Sequence, residues 1–188
     1  MSTTVKMMIT LGVIGIVSGG FLFGINDWAA PKIEFHRVEE TKAAIFEVVP
    51  SAANYEKIQP SPFEVFKVFD KNKKQIGYAL PYEGNGFQGK IRLMLGISSD
   101  LKTLTGLKIL EQLETPGLGA KVADEPFTGQ FSNLSAVPQV NYVKGKKPEN
   151  PNEIQAITGA TISSKSVVFI VNAGIEALRN MEKGGSDE

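Results

Sequence analysis

The chain of 188 residues contains no cysteine and only one histidine, His36. Those two absences together remove disulfides, thiolate zinc sites, iron–sulfur ligation and Cys/His nucleophilic catalysis. No metal site is expected, and any redox chemistry has to come from a bound organic cofactor. An excess of charge of either sign is missing too, with Lys+Arg and Asp+Glu at 20 each. That balance leaves no electrostatic footprint for a nucleic acid. The glycine-rich loop Gly84 to Gly89 has Gly-x-Gly-x-x-Gly spacing but leads into the alternating run from Ile91 and not into a helix, so a nicotinamide cofactor need not bind here. No catalytic residue stands out: His36 lies among charged residues, and the pair Glu39 and Glu40 reads as the solvated face of a helix.

What the chain does have begins with 42% apolar residues, enough for a real core. From Met7 to Ile25 there are 19 residues without a charge. As a helix rising about 1.5 Å per residue, this run covers most of a hydrocarbon core of about 30 Å. Lys6 precedes it, Asp27 follows it, and Trp28 sits where an interfacial aromatic belongs. The expectation is a transmembrane anchor over 7–25, with residues 1–6 cytoplasmic and the rest on the outer side of the cytoplasmic membrane. A cleaved signal peptide fits less well, because Trp28 spoils the small-residue pattern before Ala29 and Ala30. Gly15 with Gly19, and Gly20 with Gly24, would let a second membrane helix approach, although glycine is also common in such helices generally.

Beyond the anchor, residues 26–50 are predicted to be a connecting segment whose helix, Ile33 to Val49, ends at Pro50. Residues 51–188 form the domain. Strand-like runs cover Phe63 to Phe69 and Gln75 to Leu80, followed by a glycine-rich loop from Gly84 to Gly89. Ile91, Leu93, Leu95 and Ile97 alternate with Arg92, Met94, Gly96 and Ser98, a strand with one better-buried face. Further strands are expected over Leu104 to Leu110, Val137 to Val143 and Ile154 to Ile157, with a less regular stretch around Phe127 to Phe131. Val167, Val171, Ile175 and Leu178 recur at helical spacing and predict a last helix from about Ser164 to Met181, terminated by Gly184, Gly185 and the acidic end. Antiparallel strands with flanking helices and no βαβ alternation indicate an α+β domain.

The sharpest local feature is Thr158-Gly159-Ala160-Thr161-Ile162-Ser163-Ser164, a strand-turn-helix signal. Small residues leave backbone amides open, hydroxyls supply donors, and the helix N-terminus adds partial positive charge, all of which suits a phosphate. The same residues also suit an ordinary helix start with Ser163 or Ser164 as N-cap. A second feature is Glu114-Thr115-Pro116-Gly117-Leu118-Gly119, where proline and two glycines set a turn that leaves Leu118 to project. By itself it reads equally as a surface turn.

The heptad resembles the flavinylation motif of the FMN-binding domain family, in which Ser/Thr-Gly-Ala-Thr/Ser is followed by a hydroxyl residue. The resemblance implies FMN joined by a phosphoester to Thr161, attached by a flavin transferase that takes it from FAD, with Thr158, Gly159, Ala160, Ser163 and Ser164 around it. One departure is Gln155, where that family usually has an acidic residue. The Glu114 to Gly119 loop resembles the loop that lies along the isoalloxazine ring in the same family. That implies cofactor contacts from Glu114, Thr115, Gly117, Leu118 and Gly119, with Leu118 an apolar face and Thr115 a hydrogen bond to the ring. More narrowly, the length and Gly86-Phe87-Gln88-Gly89 resemble the G-subunit family of Rnf complexes, ion-translocating ferredoxin:NAD+ oxidoreductases. What this implies is an electron-transfer subunit with no substrate site of its own. Its partners would be other Rnf subunits, integral-membrane and flavin- or iron–sulfur-carrying. The related C subunits of sodium-translocating NADH:quinone reductases and a non-catalytic membrane-anchored flavin or phosphate sensor are the alternatives, and a free-standing flavin reductase is a third.

Overall fold

Alternation along one strand fixes both layers of the domain. In β4 (Lys90–Ser98), Ile91, Leu93, Leu95 and Ile97 join one buried cluster, while Met94 joins another on the opposite face. The computed structural model, which describes residues 2–184, places this strand inside a five-stranded antiparallel sheet. The strands run in sequence order: β1 (Asn54–Lys57), β2 (Phe66–Phe69), β3 (Gln75–Asn85), β4 and β5 (Leu104–Gln112). The last helix, α3 (Thr161–Gly184), covers one face with Val167, Val171, Ile175 and Leu178, all buried. Burying such a side chain contributes about 1.5–3 kcal/mol relative to leaving it in water. Half of the most apolar stretch of α3 is buried in this way, as in the core helix of a soluble domain.

The first helix, α1 (Thr3–Val48), divides between two compact units, one up to Glu40 and one from Thr41 onward. In the first unit the apolar residues from Met7 to Trp28 are exposed, and the helix is long and apolar enough to cross a membrane. The apolar run and the helix predicted from Ile33 lie in one continuous helix, with Pro31 inside it. Proline removes its own N–H from the ladder and its ring crowds the Asp27 carbonyl, so it weakens the helix locally, yet the helix continues through it.

In the second unit, Ala44, Ile45 and Val48 of α1 pack with Phe66, Val68, Ala79 and Met94 on the sheet face opposite α3. Both faces of β4 are therefore buried, where the alternation in sequence suggests one. The close approach depends on glycine: Gly96 and Gly106 pair across β4 and β5, and a Cβ on either would run into the Val48 carbonyl. Thr105 Oγ1 donates to that carbonyl at 2.6 Å, satisfying one of the acceptors a helix end leaves open. Arg92 is 8% exposed on the same face, donating from Nη1 to Glu111 at 2.9 Å and from Nη2 to Thr41 Oγ1 at 2.7 Å.

Other expectations shift at their edges. Strand β1 lacks an apolar alternation, so nothing in the sequence signals it, and β3 runs on to Asn85, so the glycine-rich loop shrinks to residues 86–89. The irregular stretch resolves into 3₁₀ turns at Gly119–Ala123 and Gly129–Phe131 around the short helix α2 (Glu125–Thr128). Strands β6 (Asn141–Val143) and β7 (Glu153–Gln155) are shorter than predicted and pair in parallel, apart from the main sheet. Gly185 and the acidic end lie outside the described residues.

Candidate functional site

Three segments far apart in sequence meet where β3 and β4 turn: the tip 86–89, the loop 114–119, and the start of α3. The joint between them is Glu114, 4% exposed. Its Oε1 accepts from the backbone amides of Phe87 at 2.7 Å and Gln88 at 3.1 Å, and its Oε2 accepts from Ser163 Oγ. Its own amide donates to Gln112 Oε1 at 2.6 Å. Both carboxylate oxygens are thus engaged inside the protein. The tip is closed beneath by the Gly86 amide donating to the Gly89 carbonyl at 2.7 Å.

The loop is a tight turn on the Thr115 carbonyl, which accepts from the amides of Leu118 and Ala120 at 3.1 Å each. Gly117 at its apex has φ +77°, a left-handed conformation that glycine adopts without strain. Leu118 remains 49% exposed and lies beside Gly159, itself at φ +83°. The 114–119 loop and the 158–164 heptad are therefore neighbours at Leu118 and Gly159. Thr115 Oγ1 accepts from Gln88 Nε2 at 2.8 Å, while Gly119 is buried next to Glu114 and Ser163.

Helix α3 starts at Thr161, three residues before the predicted Ser164. The reason is Ser164: its hydroxyl accepts from the Ile157 amide at 3.0 Å and donates to the Ala160 carbonyl at 3.0 Å, tying the turn from inside. Neither Ser163 nor Ser164 is an N-cap, since both sit buried within the first helical turn, with their hydroxyl protons directed to Glu114 and Ala160. Ala160 is buried, Thr158 and Gly159 are exposed, and Thr161 is half-buried at the first helical position. The first backbone amide of α3 with an acceptor is that of Ser164, donating to Ala160 at 3.0 Å. The amides of Thr161, Ile162 and Ser163 have no backbone acceptor among the described residues. Three open donors at the positive end of a 24-residue helix are the donor set that a phosphate group requires.

Exposed apolar residues gather at the same place. Phe87 (60%), Leu113 (74%), Leu118 and Ile162 (57%) lie on or next to these segments, and among the described residues after Val48 only Val137 and Phe169 are comparable elsewhere. An exposed apolar patch of this kind is suited to an aromatic ring or a partner. Phe87, Gln88 and Leu113 are not among the residues the sequence points to as cofactor contacts, and the signal for the first two is the glycine-flanked tip. Gln155 lines a neighbouring cleft of ≈ 310 Å³ with Lys121, Phe127, Gln130 and Thr158. Its main chain is held by Gln130, which accepts from the Gln155 amide at 2.7 Å and donates to its carbonyl at 3.3 Å.

Comparison with known proteins bears on this arrangement. Residues 86–176, which span all three segments, match the FMN-binding domain family. The chain is 35% identical to the G subunit of the Na(+)-translocating ferredoxin:NAD(+) oxidoreductase complex of Acetobacterium woodii, covering 95% of this chain and 93% of that one. It is 31% identical to the G subunit of the ion-translocating oxidoreductase complex of Methanosarcina acetivorans, over 94% and 95% respectively. Among solved structures, NqrC of Shewanella oneidensis superposes with a TM-score of 0.59 at 23% identity, covering 74% of this chain and 75% of that one, a likeness of fold.

Proposed function

Because the chain belongs to the family of G subunits of ion-translocating oxidoreductase complexes, we propose that it carries electrons within such a ferredoxin:NAD+ oxidoreductase through FMN bound covalently to Thr161. The observation that carries this reading is the placement of Thr161 at the first position of α3, beside amides that have no backbone acceptor. Attachment is a phosphoryl transfer in which the Thr161 hydroxyl oxygen displaces AMP from the FMN phosphorus of FAD and gives up its proton. A flavin transferase catalyses that step.

Once bound, the isoalloxazine ring supplies one-electron chemistry that no side chain of this protein can provide. The protein's own residues do the holding. The amides of Thr161, Ile162 and Ser163 orient the phosphate and offset its charge, Leu118 gives the ring an apolar face, and Thr115 offers a hydrogen bond. A phosphoester leaves the ring electronically almost unmodified, so its potential is set by this loop and by nearby charge. The apolar helix over 7–25 anchors the domain on the outer side of the cytoplasmic membrane, with the N-terminus cytoplasmic. Integral-membrane and flavin- or iron–sulfur-carrying members of the complex are its electron partners.

Intact mass of the denatured protein, purified with its complex, tests the attachment. The expected result is the added mass of an FMN phosphoester in the native chain and its loss in Thr161→Ala. A flavin-fluorescent Thr161→Ala band on a denaturing gel would move the acceptor elsewhere. Release of intact chain from membranes by carbonate would remove the anchor from the reading, and protease reaching the domain only from the cytoplasmic side would reverse its orientation.

A further inference from the structure

We propose that Gln88, at the tip between β3 and β4, is a positioning residue that biases the Thr115 hydroxyl toward donating a hydrogen bond to the flavin ring. This inference rests on the FMN reading above. A threonine hydroxyl carries one proton and two lone pairs, so it can turn either kind of partner toward a ligand. Here Gln88 Nε2 donates to Thr115 Oγ1 at 2.8 Å, which uses the oxygen as an acceptor and directs the proton away from Gln88. No described residue is bonded to that proton. The hydroxyl therefore presents an O–H beside Leu118, whose amide is fixed to the Thr115 carbonyl at 3.1 Å.

An exposed glutamine could not by itself enforce this direction, because its side chain would turn freely. Its backbone cannot. The amides of Phe87 and Gln88 are bound to Oε1 of buried Glu114, and the tip is closed by the bond from Gly86 to Gly89. A chain of contacts thus runs from the buried carboxylate through the fixed tip backbone and the Gln88 side chain to the Thr115 hydroxyl. A fixed O–H near the ring's carbonyl and nitrogen acceptors is worth more in the reduced flavin, where electron density on those atoms is greater. Gln88 raises the potential without touching the cofactor.

A double-mutant cycle on the flavin midpoint potential, measured in the assembled complex, tests this: native, Gln88→Leu, Thr115→Val and Gln88→Leu/Thr115→Val. Attachment is read separately from flavin fluorescence on a denaturing gel. The expected result is fluorescent bands in all four proteins, a lowered midpoint in Gln88→Leu and in Thr115→Val, and no further change when Gln88→Leu is added to Thr115→Val. Fluorescent bands with an unmoved midpoint in Gln88→Leu, or with an equal shift in both backgrounds, would overturn the role of Gln88 alone. Dark bands in the native protein would overturn the FMN reading, and this inference with it.

Discussion

Ser163 donates its hydroxyl proton to Oε2 of Glu114 at 2.5 Å, across 49 positions of sequence, and both residues are buried. Two residues earlier, the Thr161 hydroxyl is only half-buried. The two hydroxyls should therefore respond oppositely to removal. Ser163→Ala strands a buried carboxylate oxygen and is expected to cost about 1–3 kcal/mol in chemical denaturation of the unloaded protein. Thr161→Ala is expected to stay within about 0.5 kcal/mol of native, as surface substitutions do, while abolishing flavin attachment. Equal costs for the two would mean that Glu114 does not join the loop to the helix.

Leu118→Asp should place charge and water beside the ring without touching Thr161. The expected outcome is a shifted flavin potential and impaired turnover of the complex, with denaturing-gel fluorescence undiminished. An unchanged potential would exclude residues 114–119 as the ring's platform.

Gln155 stands where the resembling family has an acid, yet its structural ties are through its main chain, held by Gln130. Gln155→Asp should leave the melting temperature unchanged and speed flavin attachment by the transferase, read as gel fluorescence against time. An unchanged rate would show that this position is not what the transferase reads.

The lysine-containing loop between β6 and β7 supplies a pH prediction. Asn150 Nδ2 donates to Glu153 Oε1 at 2.6 Å, and the amides of Glu149 and Asn150 donate to Oε2 at 3.0 and 3.2 Å. These bonds, the Asn150 side chain first, hold the Glu153 carboxyl below its ordinary value of 4.5. A lowered folded-state value means that the contribution to stability is fully present above the unfolded value and fades as pH falls through the folded one. NMR titration of the Glu153 carboxyl should show the depressed midpoint, and Asn150→Ala should return it toward 4.5. Near neutral pH the contribution is fully present, so stability is not expected to vary with pH through this group there.

The 158–164 heptad and the 114–119 loop are legible in sequence because each is a short run that matches a family motif residue by residue. Glu114 is legible as a loop member, but its burial is not, since that depends on Ser163 and the 86–89 tip arriving from elsewhere in the chain. The start of α3 is misplaced by sequence reasoning for a related reason: a serine that caps and a serine that bonds back to Ala160 look identical in sequence. On β4 the alternation of large residues is visible, whereas the second buried face requires knowing that Val48 packs over Gly96 and Gly106. Pro31 is a residue that weakens a helix interior by a lost ladder bond and a crowded carbonyl, yet the helix continues through it.

The heptad contains four hydroxyl side chains, and any phosphoryl donor brought to it faces a choice among them. Burial makes most of that choice in advance. Ser163 and Ser164 are beneath the surface, 3% and 0% exposed, with their protons engaged by Glu114 and Ala160. They are nucleophiles in composition only. Thr158 and Thr161 remain, and of these only Thr161 stands on the helix, next to the open amides that would draw in an incoming phosphate. On the proposed attachment at Thr161, the regioselectivity of modification would be written into the substrate protein's own fold, so that a transferase would need only to find the turn and not to discriminate among its alcohols.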